Sequence, residues 1–254
     1  MSKYVLIILF VLVFVFVWSY FIEPNLLVVK HYTASEFGDK KIVFVSDFHI
    51  AKGEKKRLQR IVNTINQLEP DLVISGGDYI KGHDGGNTLP IEEQVVELKK
   101  IEAPVVSVLG NHDGWFDKEF VRETLQGAGI QVFENSSAKI EGIYIAGVED
   151  MQTGFPDVEL ALAKTESPRI LVSHTPDIYY DVREKVDLIL AGHVHGGQVR
   201  IPFYGAVIVP SKYGTKFAYG VIEENQNRMI ITGGLGTSIL PFRFCALPEI
   251  VVIN

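Results

Sequence analysis

The residues best equipped for chemistry stand just beyond apolar runs. The stretch "AGHVHGGQVR", residues 191–200, follows "DLIL" and sets His193 and His195 either side of one valine. The pattern recurs upstream. Asp47 and His49 follow "KIVFVS", Asp78 follows "DLVISGG", Asn111, His112 and Asp113 follow "PVVSVLG", and His174 follows "RILVS". Imidazole nitrogen with carboxylate and amide oxygen is a donor set for Mn, Fe or Zn rather than for Ca or Mg. A single cysteine, Cys245, excludes a multi-cysteine zinc site and an intrachain disulfide. Taken one at a time, these residues have ordinary readings: Asp47 as a cap or turn, Asn111 as a turn residue, His174 as a satisfied strand-end histidine. Five such segments in succession point instead to one shared centre. Positions i and i+2 of an extended segment face the same way. Asp47 with His49, and His193 with His195, can therefore each offer two donors to one place, while Gly196 and Gly197 let the backbone approach closely. Glu149 and Asp150, after "YIAGV", are ambiguous.

The elements that must position these donors are legible. The runs at 41–49, 71–79, 104–113, 144–150, 169–176 and 187–195 are continuously apolar and rich in Val and Ile, as strands covered on both faces are. Between them, 54–69 places Leu58, Ile61, Val62, Ile65 and Leu68 at helical spacing and stops before Pro70. Segments 91–101 and 117–129 repeat that pattern. Shorter runs after 198 ("GAVIVP", "KFAYGVIE", "RMIITGG", "EIVVIN") are further strands. The expectation is α/β layers in which ligands gather outside the carboxyl ends of the strands.

The formal net charge of −7 and the lack of a Lys/Arg stripe argue against a nucleic-acid surface. Tyr4 to Ile22 carries no charged residue and only Ser19 as a clearly polar one. About 20 apolar residues cover the roughly 30 Å hydrocarbon core of a bilayer as a helix, and Trp18 and Tyr20 have the character of interfacial residues. A cleaved signal peptide would show a small-x-small site, and "SYFIEPNLL" has none. Residues 1–24 are therefore expected to be a single-pass membrane anchor and 25–254 one catalytic domain. Lys30, Lys40 and Lys41 after the segment, against Lys3 before it, favour a cytoplasmic domain.

The ordered blocks D-x-H (47–49), G-D (77–78), G-N-H-D (110–113), H (174) and G-H-x-H (192–195) resemble the calcineurin-like metallophosphoesterase superfamily over essentially everything after the anchor. The tail, including "TGGLGTSILPFRFCALPEIVVI", is similar to the membrane-associated YkuE/YaeI-like subgroup, itself related to UDP-2,3-diacylglucosamine hydrolases. The resemblance implies a four-layer α-β-β-α sandwich with two packed sheets, preceded here by one N-terminal transmembrane helix. It also implies two divalent metal ions, one held by Asp47, His49 and His195, the other by Asn111, His174 and His193, with Asp78 between them. His112 would be the acid at the leaving group and Asp113 would orient it. Val194 stands where the family more often has threonine, a position that is not a ligand. The implied reaction is hydrolysis of a phosphodiester or pyrophosphate by a hydroxide shared between the metals. The implied substrate is a phosphodiester or lipid-linked nucleotide such as UDP-2,3-diacylglucosamine; a phosphomonoester or cyclic nucleotide is the alternative. A non-catalytic binding module would be expected to lack ligands, and none is missing. Beyond these, Lys81 and His83 lie in a glycine-rich loop that reads as solvated, Arg200 is either a phosphate clamp or a structural salt-bridge partner, and "ILPFRF" (239–244) is expected to be core beside the last strand rather than a greasy lip.

Overall fold

In the computed structural model, which describes residues 3–254, every long apolar run becomes a strand or a helix. The elements are α1 (Lys3–Val17), β1 (Val28–Tyr32), β2 (Ile42–Val45), α2 (Lys55–Gln67), β3 (Leu72–Ser75), α3 (Ile91–Leu98), β4 (Val105–Ser107), α4 (Asn111–Gly127), β5 (Gln131–Val132), β6 (Ser136–Ile140), β7 (Ile143–Gly147), α5 (Val158–Leu162), β8 (Arg169–Ser173), β9 (Leu188–Ala191), β10 (Arg200–Ile201), β11 (Gly205–Ala206), β12 (Gly220–Glu224), β13 (Asn227–Ile231) and β14 (Glu249–Ile253). The helix of α1 continues through a wider turn, Trp18–Ile22, and a tighter one, Glu23–Asn25. None of its side chains from Lys3 to Val17 is buried.

Two six-stranded sheets result, ordered β1-β14-β2-β3-β4-β5 and β12-β13-β9-β8-β7-β6. The central strands β2, β3 and β4 are parallel, as are β7, β8, β9 and β13, so their carboxyl ends open on one side. Alternation along each strand divides the core into layers. Ile42 and Phe44 of β2 meet Ile170, Val172, Leu188 and Leu190 of the other sheet. Val43 and Val45, one residue out of phase, meet α2 through Leu58, Ile61, Val62 and Ile65. On the far side, Leu171 and Ile189 pack under α5 and the short turns bearing Tyr179 and Phe217. The expected four-layer α-β-β-α sandwich is the observed one, though its last helical layer is thin: a five-residue helix and 3₁₀ turns.

Helix α2 is amphipathic as expected and ends where Glu69 adopts a left-handed φ of 49° ahead of Pro70. Helix α4 starts six residues earlier than the apolar spacing placed it, at Asn111, and kinks at Asp117. Its first turn is polar because that turn belongs to the site.

Candidate metal centre

The strand ends converge. Asp47, His49, Asp78, Asn111, His174, His193 and His195 are all buried, and their donor atoms face one another across a few ångströms. Asp78 Oδ2 lies 3.3 Å from His49 Nε2 and 3.2 Å from His174 Nε2. Asp47 Oδ1 lies 3.4 Å from His195 Nε2. Asn111 Oδ1 sits 3.0 Å from His174 Nε2 and 2.9 Å from His193 Nδ1. The members of each His-x-His or Asp-x-His pair are not in extended chain, as the sequence reading had them. Asp47, His49, Asp78, His193 and His195 all have left-handed φ, between 39° and 70°. Such conformations are costly for residues other than glycine and cluster where geometry serves a function. The turns separate the histidine pair: His195 stacks beside His49 at 5.1 Å, while His193 meets His174 edge-on at 5.1 Å.

Gly196 and Gly197 adopt positive φ, but a Cβ on Gly197 would strike Ala206 of β11 rather than the cluster. The glycine that approaches the carboxylates most closely is Gly110, where a Cβ would sit 2.1 Å from Asp78 Oδ1.

Backbone groups orient the rings. His49 Nδ1 lies 2.7 Å from the Ile80 carbonyl, and His174 Nδ1 lies 2.7 Å from the Gly76 carbonyl, so each donates there and turns its Nε2 inward. His49 Nε2 is buried without any hydrogen-bond partner. An orphaned imidazole nitrogen aimed at two carboxylates is what a cation would satisfy. The subsets Asp47–His49–His195, Asp47–Asp78–His174 and His49–Asp78–His112 each bring their ligand atoms within 4.8 Å of one another, a fit for divalent ions.

The same burial sets the protonation of these groups. Burial raises Asp47. Burial, with the charge of His174, brings His193 down to about 4, and burial with His49 holds His195 well below the ordinary range. At His174 burial also opposes the charge, but the summed pull of Asp78 and Asp47 outweighs it and raises the ring well above its usual value. The cluster by itself thus holds a proton on His174, which an incoming cation must displace. Protein stripped by a chelator is expected to bind Mn²⁺ with proton release and with affinity rising up to about tenfold per pH unit between about pH 6 and 8. Calorimetric titration in buffers of different ionisation enthalpy measures this; pH-independent binding would refute it.

His112 sits at the edge of the cluster, its Nδ1 3.0 Å from the Gly82 carbonyl and its Nε2 3.2 Å from Ser238 Oγ. Asp113 does not hold that ring, contrary to the expectation. Its carboxylate accepts from the N–H groups of Asp78, Tyr79, Ile80 and Gly110, at 2.8 to 3.1 Å, and so ties the β3 loop to the start of α4. Burial and the neighbouring Asp78 push Asp113 up to about 6 against these donors. Lys81 donates to Thr237 and is spent on loop structure. Arg200 lies over the Tyr219 ring in a separate cavity with Glu249, so it is no clamp for a phosphate at this centre. Asp150 is a loop brace, accepting from Gln152, Thr153 and Thr175, and Glu149 pairs with Lys118. Three neighbours were not foreseen: Gln152, whose amide lies 3.1 Å from His193 Nε2, Ser238, and Trp115, on which His83 rests at 4.3 Å. They come from loops without a sequence pattern of their own. A cavity of about 480 Å³ opens over the cluster, walled by Val207, Ile208, Pro210, Ile239 and Leu240. Ile239 and Leu240 are exposed, so "ILPFRF" begins as a lip, not as the core expected of it.

Two sheets whose strand ends gather four histidines, two aspartates and an asparagine define a metal-dependent phosphoester hydrolase, and the chain belongs to the calcineurin-like phosphoesterase family, which residues 40–197 match. It is 32% identical over 93% of its length, and 88% of the relative's, to the uncharacterized metallophosphoesterase YkuE of Bacillus subtilis. The phosphodiesterase YaeI of Escherichia coli is 28% identical over 94% of this chain and 92% of its own length. A zebrafish (Danio rerio) transmembrane protein with a metallophosphoesterase domain is 29% identical over 84% of this chain and 52% of its own length.

Proposed function

We propose that this hydrolase is membrane-anchored and cleaves a phosphodiester or pyrophosphate bond in a lipid-linked substrate, UDP-2,3-diacylglucosamine or a molecule like it. The observation that carries the reading is the apolar wall of Val207, Ile208, Ile239 and Leu240 standing directly over the buried donors. A phosphate alone needs no such wall; an acyl chain does. The relatives named phosphodiesterase and transmembrane protein agree with it, as does the apolar stretch Lys3–Asn25. Residues 1–24 are the anchor, 25–254 the catalytic domain, and the lysines at 30, 40 and 41 favour a cytoplasmic site.

Asp47, His49 and His195 would hold one divalent cation, Asn111, His174 and His193 the other, and Asp78 both. Such a pair of ions polarises the phosphate and lowers the pKa of a bound water. The chain's own groups do the rest. The carbonyls of Ile80 and Gly76 fix the rings of His49 and His174 so that the Nε2 of each points at the cluster. Trp115 and His83 form an aromatic shelf beside the cavity on which a base or sugar can lie. His112, with Nδ1 held by Gly82, presents Nε2 to the cavity and donates the proton that the leaving oxygen needs. Burial lowers this imidazole below its ordinary value, and an anionic substrate returns it toward the charged form.

The test is a substrate panel with the full-length, metal-loaded protein: UDP-diacylglucosamine, a bis-aryl phosphate and an aryl monophosphate. Turnover of the two diesters is expected; hydrolysis of the monoester alone would reverse the substrate class. His112→Ala is expected to cost about 10²–10⁴-fold on an alkyl phosphodiester, whose alkoxide leaving group is poor, and far less on the activated aryl ester. Equal losses on both would remove the acid role.

A further inference from the structure

The apolar wall over the metal centre does not end at the cavity. It continues outward into a surface that has no protein to cover it among the described residues. Phe203 and Tyr204 at the tip of the β10–β11 hairpin, Ile201 and Ile208 at its base, and Ile239 and Leu240 opposite are all exposed. Phe203 is wholly exposed and holds a left-handed φ of 66°. A bulky aromatic in that conformation is a genuine backbone outlier. Nothing packs against the ring to offset the strain, so the hairpin is shaped to present it. Contiguous apolar surface of this kind marks a binding face.

What the face meets follows from its attachment. The residues flanking β10 bond to the 240–244 segment: Arg200 N–H donates to the Phe244 carbonyl at 2.8 Å, Phe244 N–H to the Gln198 carbonyl at 3.0 Å, and Gln198 Nε2 to the Leu240 carbonyl at 2.7 Å. That segment is docked on the end of the apolar helix. The Phe242 ring lies 5.9 Å from Phe16 and 5.4 Å from Tyr20, Arg243 N–H donates to the Ser19 carbonyl at 3.0 Å, and Glu23 Oε1 accepts from Ala246 N–H at 2.6 Å. Helix end and hairpin are therefore one continuous apolar unit, with Trp18, Tyr20 and Tyr204 of interfacial character. We propose that the β10–β11 hairpin and residues 239–242 form a lip lying in the interfacial layer of a phospholipid bilayer, so that the mouth of the metal centre opens at the lipid surface. The proposal rests on residues 1–24 being the anchor. It goes beyond the assignment of substrate, because it states how the catalytic domain sits. Exposed Lys212, close after the lip, complements anionic headgroups.

The experiment reads depth rather than activity. Full-length protein is placed in phosphatidylcholine–phosphatidylglycerol vesicles with a polarity-sensitive fluorophore on Phe203→Cys, on Tyr204→Cys, or on Val96→Cys, an exposed position on α3; Cys245→Ser is the background in all three. Both hairpin labels are expected to emit to the blue of the α3 label and to be quenched several-fold more by lipids carrying a nitroxide near the headgroup. Hairpin labels quenched no more than the α3 label would overturn the proposal, including the case where a second copy shields them and they quench each other. An unfolding midpoint matching that of the unlabelled parent confirms that each labelled protein is folded. Turnover of the soluble bis-aryl phosphate then separates the outcomes: loss of lipid quenching with that turnover intact sinks the lip alone, while unchanged quenching with no diester turnover sinks the substrate class alone.

Discussion

Asp78→Asn is expected to lower kcat/KM for a bis-aryl phosphate by on the order of 10³–10⁵-fold, because the several kcal/mol that a two-metal site supplies depend on the one carboxylate set between its halves. The amide is isosteric. Its oxygen can still accept from His112 N–H, which now bonds Asp78 Oδ1 at 2.8 Å, so the loop keeps its shape. What changes is the other oxygen, which lies 3.2–3.3 Å from both His174 and His49. An NH₂ group there faces two imidazole nitrogens and binds no cation. Metal content per chain should therefore fall along with turnover. The thermal midpoint of chelator-treated protein should fall as well at neutral pH, since His174 and His49 hold the Asp78 carboxylate well below its ordinary range against burial, so its charge is stabilised by the fold even without a cation. Gly110→Ala separates position from chemistry. Gly110 has an ordinary extended backbone, φ −99°, so an alanine there is not strained. Its Cβ would nonetheless stand 2.1 Å from Asp78 Oδ1, and the carboxylate must move. Activity should drop by orders of magnitude in this variant although every ligand is retained. Near-normal metal content and turnover in either protein would mean that Asp78 does not hold the cations.

That these seven side chains gather in one place was legible because each stands just beyond a run too apolar to be anything but a buried strand. Which of them face one another was not. Nothing in the spacing of His193 and His195 says that a left-handed turn sends one ring toward His174 and the other toward His49. Asp113 was misplaced for a related reason. Adjacency in sequence to His112 counts for little at the first turn of α4, where the third residue of the helix folds back onto the N–H of Gly110. Strands β1 and β6 escaped notice because they lie at sheet edges and lack continuous apolar runs. The stretch 239–244 was read as core since Ile, Leu and Phe usually are. The residue of that stretch that is in fact deepest is its arginine.

Arg243 is fully buried, and its removal is expected to cost about 3–5 kcal/mol of stability. Its guanidinium donates to the carbonyls of Gly233 (2.8 Å), Gly234 (3.2 Å), Gly236 (2.9 Å from Nε) and Ala246 (2.8 Å). Burial, and the charge of Arg57, bring it down to about 10, which leaves it cationic at neutral pH. It is balanced by Asp47, Glu249 and Glu23 rather than by a direct ion pair. The carbonyls it gathers belong to the turn that closes over the candidate metal centre. A Cβ on Gly234 would lie 2.8 Å from the Asp47 Cβ, and the Gly236 carbonyl lies 3.4 Å from His195 Nδ1. Arg243→Met fills the space but leaves the buried carbonyls of Gly233 and Ala246 without donors, each worth about 1–3 kcal/mol, while Gly234 keeps the Glu249 N–H and Gly236 keeps His195 Nδ1. For a chain of this size the thermal midpoint in detergent should fall by roughly 6–20 °C. Arg243→Lys reaches fewer carbonyls and should recover part of the loss. The ring of His195 turns on the Gly236 carbonyl, so metal affinity should weaken with stability in both variants, more in the methionine form. Calorimetric metal titration at a temperature where each variant is folded isolates that effect. An unfolding midpoint within about 2 °C of the parent in Arg243→Met would show that the guanidinium is not what holds this turn.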